Sequence, residues 1–148
     1  MNFKIRFYFL IIIIFIYSCS NKDKQVYTIK EKNLETQMIE VYKQAIEEFE
    51  KGDVIFAAKK FSEAELLYPQ SVWAPRAALM SAYVHFSQNY YSYAINDLER
   101  FLIKYKNHRQ TDYAYYLLAL CHYNQIIDEK KDFNEIKLAK KYFEIIIK

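Results

Sequence analysis

The chain has 148 residues, 53% of them hydrophobic and 26% charged, with one Gly and two Pro; this suits one helical domain with a sizeable core and excludes both a disordered chain and a turn-rich all-β fold. Its formal charge is +3, but Lys4 and Arg6 precede the first apolar run, and without them the balance falls to +1. A body so near neutrality lacks the clustered Lys and Arg that neutralise phosphates, which excludes nucleic-acid partners.

The first element is the uninterrupted apolar run Phe7 to Tyr17, 11 residues long, where a helix spanning a bilayer takes roughly 20. With its basic start and the small Ser18, the run has the three-part pattern of a secretory signal. The sequence "IYSC" resembles the bacterial lipobox, and that resemblance implies cleavage before Cys19 and diacylation of its thiol. Two or three acyl chains, at about 0.8 kcal/mol per buried CH₂, hold a soluble body at a membrane where one chain does so only marginally. An ordinary cleaved signal and an uncleaved anchor are the alternatives. On the lipobox reading residues 1–18 are the signal, 19–33 the lipidated cysteine with a polar tether, and 34–148 the folded domain. The residue after the cysteine is Ser20 rather than Asp, which by the same resemblance implies delivery to the outer membrane.

From Glu35 onward the apolar residues follow helical spacing, and the segment ending at Pro69 reads as two helices around Gly52-Asp53. Gly52 can take the left-handed conformation that ends a helix, and Asp53 can cap the next. The hairpin recurs 37 residues on, and its first helix a third time: Ala45, Ala82 and Ala119 coincide, as do Phe49, Phe86 and Tyr123, while Gly52 meets Asn89. In the second helices Ala57, Phe61, Ala64 and Tyr68 align with Ala94, Leu98, Phe101 and Tyr105. The third second helix places Ala139, Phe143 and Ile146 45 residues after Ala94, Leu98 and Phe101, so eight residues are inserted around "IIDEKKDFNE", at a turn between helices. An exposed apolar face is expected at the C-terminal end, because solenoids need a polar-faced cap for solubility.

The stretch "AIEEFEKGDVIFAAKKFSEAELLYP" resembles the tetratricopeptide repeat, with the small residue, the Gly-Asp turn, Ala57, Phe61, Ala64 and Pro69 in consensus order. The fold expected is therefore all-α: a solenoid of antiparallel helical hairpins with about three repeats, the last incomplete. The period exceeds the usual one by three residues, Val72 to Ala74 and Arg109 to Thr111, which fall in the links. The stretches "YPQSVWAPRAALMSAYVHFSQNYYSYAINDLERFLIKY" and "DYAYYLLALCHYNQIIDEKKD", with the lipobox and the long third turn, resemble the BamD (ComL) family of barrel-assembly lipoproteins. What the resemblance implies is a periplasmic adaptor, anchored by lipid at the outer membrane. Its partners would be a BamA-like barrel-assembly protein, other assembly lipoproteins and unfolded outer-membrane proteins. The resemblance covers the first three of that family's five repeats, the half proposed to receive substrate, whereas the docking surface for BamA lies largely in the later ones. The alternative is a related tetratricopeptide lipoprotein of envelope constriction or cell-wall maintenance, since these share the "YPxSxxA" link.

In stacked hairpins the first helices line the concave face. Three stripes point there at helical spacing: Tyr42, Ile46 and Phe49; Arg76, Leu79, Tyr83 and Phe86; Tyr113, Tyr116, Leu120 and Tyr123. Such an aromatic trough suits an extended segment with exposed aromatic ends, and Arg76 can pair with a terminal carboxylate. The competing expectation is that these residues are core, because aromatic stripes at helical spacing usually are and the chain carries 15 Tyr and 11 Phe throughout. His85 and His122 also lie 37 apart, but a metal would want further ligands and only Glu48, their counterpart in the first hairpin, is offered; groove-edge histidines bonded to water or a neighbour are expected, and no metal or cofactor. Cys121, in an apolar helical stretch, is expected to be a buried, inert thiol. No nucleophile elbow, phosphate-binding glycine loop or HExxH occurs, so no enzymatic activity is expected.

Overall fold

The computed structural model describes the backbone of residues 23–128, 130 and 132–147, and side chains from residue 34. The signal segment and Cys19 lie outside the described residues. Contacts divide the chain between Asn33 and Leu34, and the packing described below belongs to Leu34–Lys148. Among the described residues there are six helices in order: α1 (Asp23–Glu50), α2 (Val54–Leu67), α3 (Ala74–Ser87), α4 (Tyr91–Lys104), α5 (Thr111–Tyr123) and α6 (Phe133–Ile147). There is no strand among the described residues, and consecutive helices from α2 to α6 pack against one another, as a tetratricopeptide-type solenoid requires. α1 begins at Asp23, earlier than the apolar spacing that starts at Glu35.

The repeat is legible in its turns. Gly52, at φ +86°, closes α1: its N–H donates to the Phe49 carbonyl at 3.0 Å and the Asp53 N–H to that of Glu48 at 3.0 Å. Asn89, at φ +64°, closes α3 with the same pair of bonds, its own N–H to Phe86 at 3.0 Å and that of Tyr90 to His85 at 2.9 Å. Both are the Schellman arrangement, which needs a residue that tolerates the left-handed conformation. Asp53 then caps α2 by accepting the Phe56 N–H at 3.1 Å. The third member of the series is Ile126, and a β-branched residue pays heavily for positive φ. There the short turn gives way to the inserted residues. Asp132 closes the longer loop instead, its Oδ2 accepting the N–H groups of Ile127 at 2.8 Å and Asp128 at 2.9 Å.

The links between hairpins also repeat. The Ser71 hydroxyl accepts the Trp73 N–H at 3.1 Å, and 37 residues later the His108 Nδ1 accepts the Gln110 N–H at 3.3 Å. Trp73 and Gln110 are thereby repeat-mates at the mouths of α3 and α5.

The core lies between helices. Ala45, Ala82 and Ala119 are fully buried, as are Ala57, Phe61 and Ala64 and their counterparts Ala94, Leu98 and Phe101. Alanine on the first helices lets backbones approach, and the large side chains of the second helices fill the space between. One cluster joins Ala45, Val54, Ala57, Phe61 and Val84; a larger one joins Leu79, Leu98, Phe101, Leu117, Leu118 and Cys121. On α6 only Ala139 is buried, while Phe133, Ile145 and Ile147 are exposed.

Candidate functional site

The structure sorts the members of the three stripes by burial and by place. Leu79 is only 4% exposed and belongs to the core, whereas Tyr113, Tyr116 and Tyr123 are 41%, 44% and 59% exposed. Tyr42, Phe49, Arg76, Tyr83, Phe86 and Leu120 are half-buried, and Ile46 is exposed. Neither the groove nor the core expectation holds for the whole set: Leu79 is floor and the tyrosines of α5 are surface.

Five of the eleven residues, Tyr42, Arg76, Leu79, Tyr83 and Tyr113, line one cleft of about 270 Å³, together with Met80 and Gln110. A second cleft of about 250 Å³ lies one repeat earlier and is lined by Met38, Ile39, Tyr42, Lys43, Ile46 and Trp73. The two correspond position by position: Ile39 to Arg76, Tyr42 to Leu79, Lys43 to Met80, Ile46 to Tyr83 and Trp73 to Gln110, each pair 37 apart. They are one subsite built twice with different chemistry. Phe86, Tyr116, Leu120, Tyr123 and Phe49 line neither; Tyr116 instead stacks on Tyr113 at 6.4 Å and meets Phe143 edge-on at 6.3 Å.

Tyr42 forms the wall between the clefts, held edge-on to Phe61 at 5.1 Å and to Trp73 at 5.7 Å. Across the neighbouring first helices Phe49 meets Tyr83 edge-on at 6.2 Å. The Arg76 guanidinium lies over the Trp73 ring at 4.8 Å from its centroid, a cation–π contact that fixes the charge at the boundary. Burial raises the Tyr42 hydroxyl above its ordinary pKa, an effect that Arg76 partly offsets. Burial lowers His108, and Arg109 and Arg76 lower it further. Burial raises Tyr113, helped by Tyr83 and Tyr116. The Arg76 charge is thus felt at Tyr42 in the cleft wall and at His108 in the link before α5. Gln110 is among the lining residues, and its side-chain Oε1 is buried with no hydrogen-bond partner among the described residues.

Met38, Ile39, Lys43, Trp73, Met80 and Gln110 escaped the sequence reading. The repeat register contained the signal, since each but Met38 has its repeat-mate in the other cleft, but Trp73 and Gln110 sit in the links, where no helical stripe leads.

The histidines prove to be bonded to acids between helices rather than standing at a groove edge. His85 Nδ1 lies 3.1 Å from Asp97 Oδ2, and His122, only 6% exposed, places Nδ1 2.7 Å from Glu135 Oε2 and stacks on Tyr142. Glu48 takes Lys51 at 2.7 Å. No group of three or more metal-ligating side chains occurs among the described residues. The Ser81 hydroxyl donates to Asp97 at 2.8 Å, not to His85, and is almost wholly buried, so the imidazole is not placed to activate it. Cys121 is fully buried, which pushes its thiol up to about 12. A further polar cluster had gone unnoticed in the sequence. The fully buried Glu65 of α2 accepts from Arg100 Nη1 at 2.6 Å, Lys104 Nζ at 2.8 Å and the Tyr105 hydroxyl at 2.8 Å, tying the second helices of two hairpins together.

No helix of the described residues is long and apolar enough to cross a membrane. Comparison with known proteins adds the family. Residues 34–148 match the family described as "YfiO: Outer membrane lipoprotein". Among curated relatives, the "Outer membrane protein assembly factor BamD" of Caulobacter vibrioides is 35% identical over 92 residues, 62% of this chain and 30% of the relative. The protein of the same name from Rickettsia prowazekii is 34% identical over 91 residues, 62% of this chain and 36% of the relative. The chain therefore spans about a third of the length of these relatives. The match runs along the helical stack from residue 34 to 148, and the chain belongs to the YfiO family of outer-membrane lipoproteins.

Proposed function

We propose that this protein is a scaffold in the assembly and insertion of β-barrel outer-membrane proteins, held at the periplasmic face of the outer membrane by lipid on Cys19. The paired clefts on the first-helix face are the observation that carries the binding half of this reading. They offer aromatic walls, an apolar floor and two cations, Lys43 and Arg76, which suits an extended segment of an unfolded barrel protein better than a small polar substrate. The names of the relatives, both assembly factors, support the pathway and favour it over constriction or cell-wall maintenance. A BamA-like barrel-assembly protein and other assembly lipoproteins are the expected partners. The role is one of binding: Ser81, His85 and Asp97 are committed to joining α3 and α4.

The test is detergent extraction of outer membranes followed by affinity purification of the full chain. Co-purification of the barrel-assembly protein, lost on Cys19→Ala substitution together with membrane attachment, is the expected result. Recovery with cell-wall proteins and without the barrel-assembly protein would move the assignment to the envelope-maintenance relatives.

A further inference from the structure

The links between hairpins follow the C-terminal ends of α2 and α4, and two aliphatic side chains stand out there in register. Leu66 is 69% exposed, and Ile103, its counterpart 37 residues on, is 80% exposed. Glu65 Oε1 accepts Lys104 Nζ at 2.8 Å, which ties the residue before Leu66 to the residue after Ile103 and holds both at one edge. Val72, in the first link, is 76% exposed. A single exposed leucine carries no message, but the same exposure repeated along one edge marks a surface with a use. The charges divide along that edge as well. From Leu66 to Pro75 the chain carries none, whereas Ile103 to Gln110 carries Lys104, Lys106, His108 and Arg109 and no acid. Lys104, Lys106 and His108 line a cleft of about 350 Å³ with Tyr105 and Asn107. The positive field reaches His108, which burial, then Arg109 and Arg76, hold below its ordinary pKa. The hairpin turns at the other ends of the helices mix both signs, Lys51 with Asp53 and Lys130 with Asp128 and Asp132.

We propose that this link edge rests on the surface of an anionic phospholipid bilayer, with Leu66, Val72 and Ile103 entering between the headgroups and Lys104, Lys106 and Arg109 meeting their phosphates. Interfacial segments divide the work in this way: aliphatic side chains supply burial, and each Lys or Arg near an anionic surface strengthens attachment about fivefold. A protein partner fits the edge less well, because lysine is depleted at protein interfaces. A bilayer is also what membership of a family of outer-membrane lipoproteins puts within reach. The inference rests on that membership and not on the two clefts, so failure of the groove reading leaves it standing. Its consequence is orientation. A lipid tether alone leaves the folded domain free to turn, whereas a bound edge directs the hairpin turns, with their acids, away from the membrane.

The test uses the full chain reconstituted in vesicles of phosphatidylcholine, alone or mixed with phosphatidylglycerol, with bromine on the acyl chains to quench tryptophan on contact. Trp73, the chain's one tryptophan, directly follows Val72, and Ile103→Trp adds a second reporter at a more exposed position. Phosphatidylglycerol should raise the quenching of both about fivefold, the added tryptophan being quenched the more strongly, and high salt should reverse the effect. Lys106→Glu combined with Arg109→Glu should return quenching to the phosphatidylcholine level while leaving the melting temperature unchanged, since both side chains are exposed. Leu66→Ser combined with Ile103→Ser should weaken Trp73 quenching about tenfold. An Ile103→Trp chain whose added tryptophan phosphatidylglycerol leaves unquenched overturns the proposal. So does equal quenching in both kinds of vesicle, which would be the work of the N-terminal segment alone. A full chain that runs in detergent as a dimer broken by Ile103→Ser overturns it too, because the edge would then belong to a second copy. Flotation with phosphatidylcholine vesicles reports the lipid anchor separately; its loss sinks the anchoring reading, while this proposal stands or falls on the quenching that phosphatidylglycerol brings.

Discussion

The stripes of α3 and α5 occupy the same register and meet different fates. Leu79 is the counterpart of Tyr116 and Phe86 of Tyr123, yet Leu79 is sealed and Phe86 half-buried, whereas both tyrosines face solvent. α3 is packed by α1 on one side and approached by α5 on the other, so its stripe is covered from two directions. α5 meets a first helix on one side only among the described residues, and its other apolar positions, Leu117, Leu118 and Cys121, turn into the hairpin core. A repeat thus specifies the direction in which a side chain points, and its neighbours decide whether that direction is interior or surface. The aromatic face is therefore graded, with a structural middle and an accessible end.

The largest effect expected along this gradient lies at its sealed base. Phe101→Ala should lower stability by about 3–5 kcal/mol in chemical denaturation, because Phe101 is fully buried between hairpins; a loss no greater than that of an α5 surface tyrosine would erase the distinction between layers. Glu65→Gln comes next, at about 1–2 kcal/mol near neutrality, a modest figure because Arg100 and Lys104 are 40% and 39% exposed and can turn to water. Burial raises the Glu65 carboxyl, but the hydrogen bonds from Lys104, Arg100 and Tyr105 outweigh it and hold it below the usual carboxylate range. Its contribution is then complete above the ordinary glutamate pKa and fades as pH falls through the lowered value. Melting curves of the unaltered protein and the variant should converge in acid, and a constant gap between them would show that the carboxylate is not what holds the two hairpins.

Sharpening the comparison itself needs the paired substitutions Tyr83→Ala and Tyr116→Ala. Tyr83, braced by Phe49, should cost about 1–2 kcal/mol, while Tyr116 should stay within about 0.5 kcal/mol; equal losses by thermal melting would mean the gradient is not there. Tyr83→Ala, at the lining of a cleft, should weaken peptide binding, whereas Tyr116→Ala, outside both clefts, should leave it unchanged. The smallest effect is at Cys121, on the sealed side of α5. With its thiol pushed up to about 12, it should resist alkylation at pH 8 until the protein unfolds. Labelling of the folded protein, mapped to this residue by mass spectrometry, would place it on an open face instead.

Much of this was legible before any coordinates. Gly52 and Asn89 announced left-handed turns because few residues tolerate positive φ, and both adopt it. The alanines at 45, 82 and 119 announced close helix approaches and are all buried. Ile126 in the same series carried the reason for the long third turn, although the insertion alone was what the spacing revealed. The cleft was harder. Gln110 lies outside every apolar stripe, and nothing local distinguishes a glutamine in a link from one bathed in solvent. Glu65 likewise follows Ala64 in an ordinary amphipathic helix, and its partners lie 35 to 40 residues away.

By itself the sequence determined the helices, their turns, the 37-residue register and the family resemblance, because each rests on local backbone preference or on periodicity along one chain. Only the tertiary structure decided which members of that register are floor, wall or surface, and that Arg76 and Gln110 share one cleft. Burial is a property of what packs on a side chain from elsewhere in the fold, and no stretch of sequence carries that information about itself.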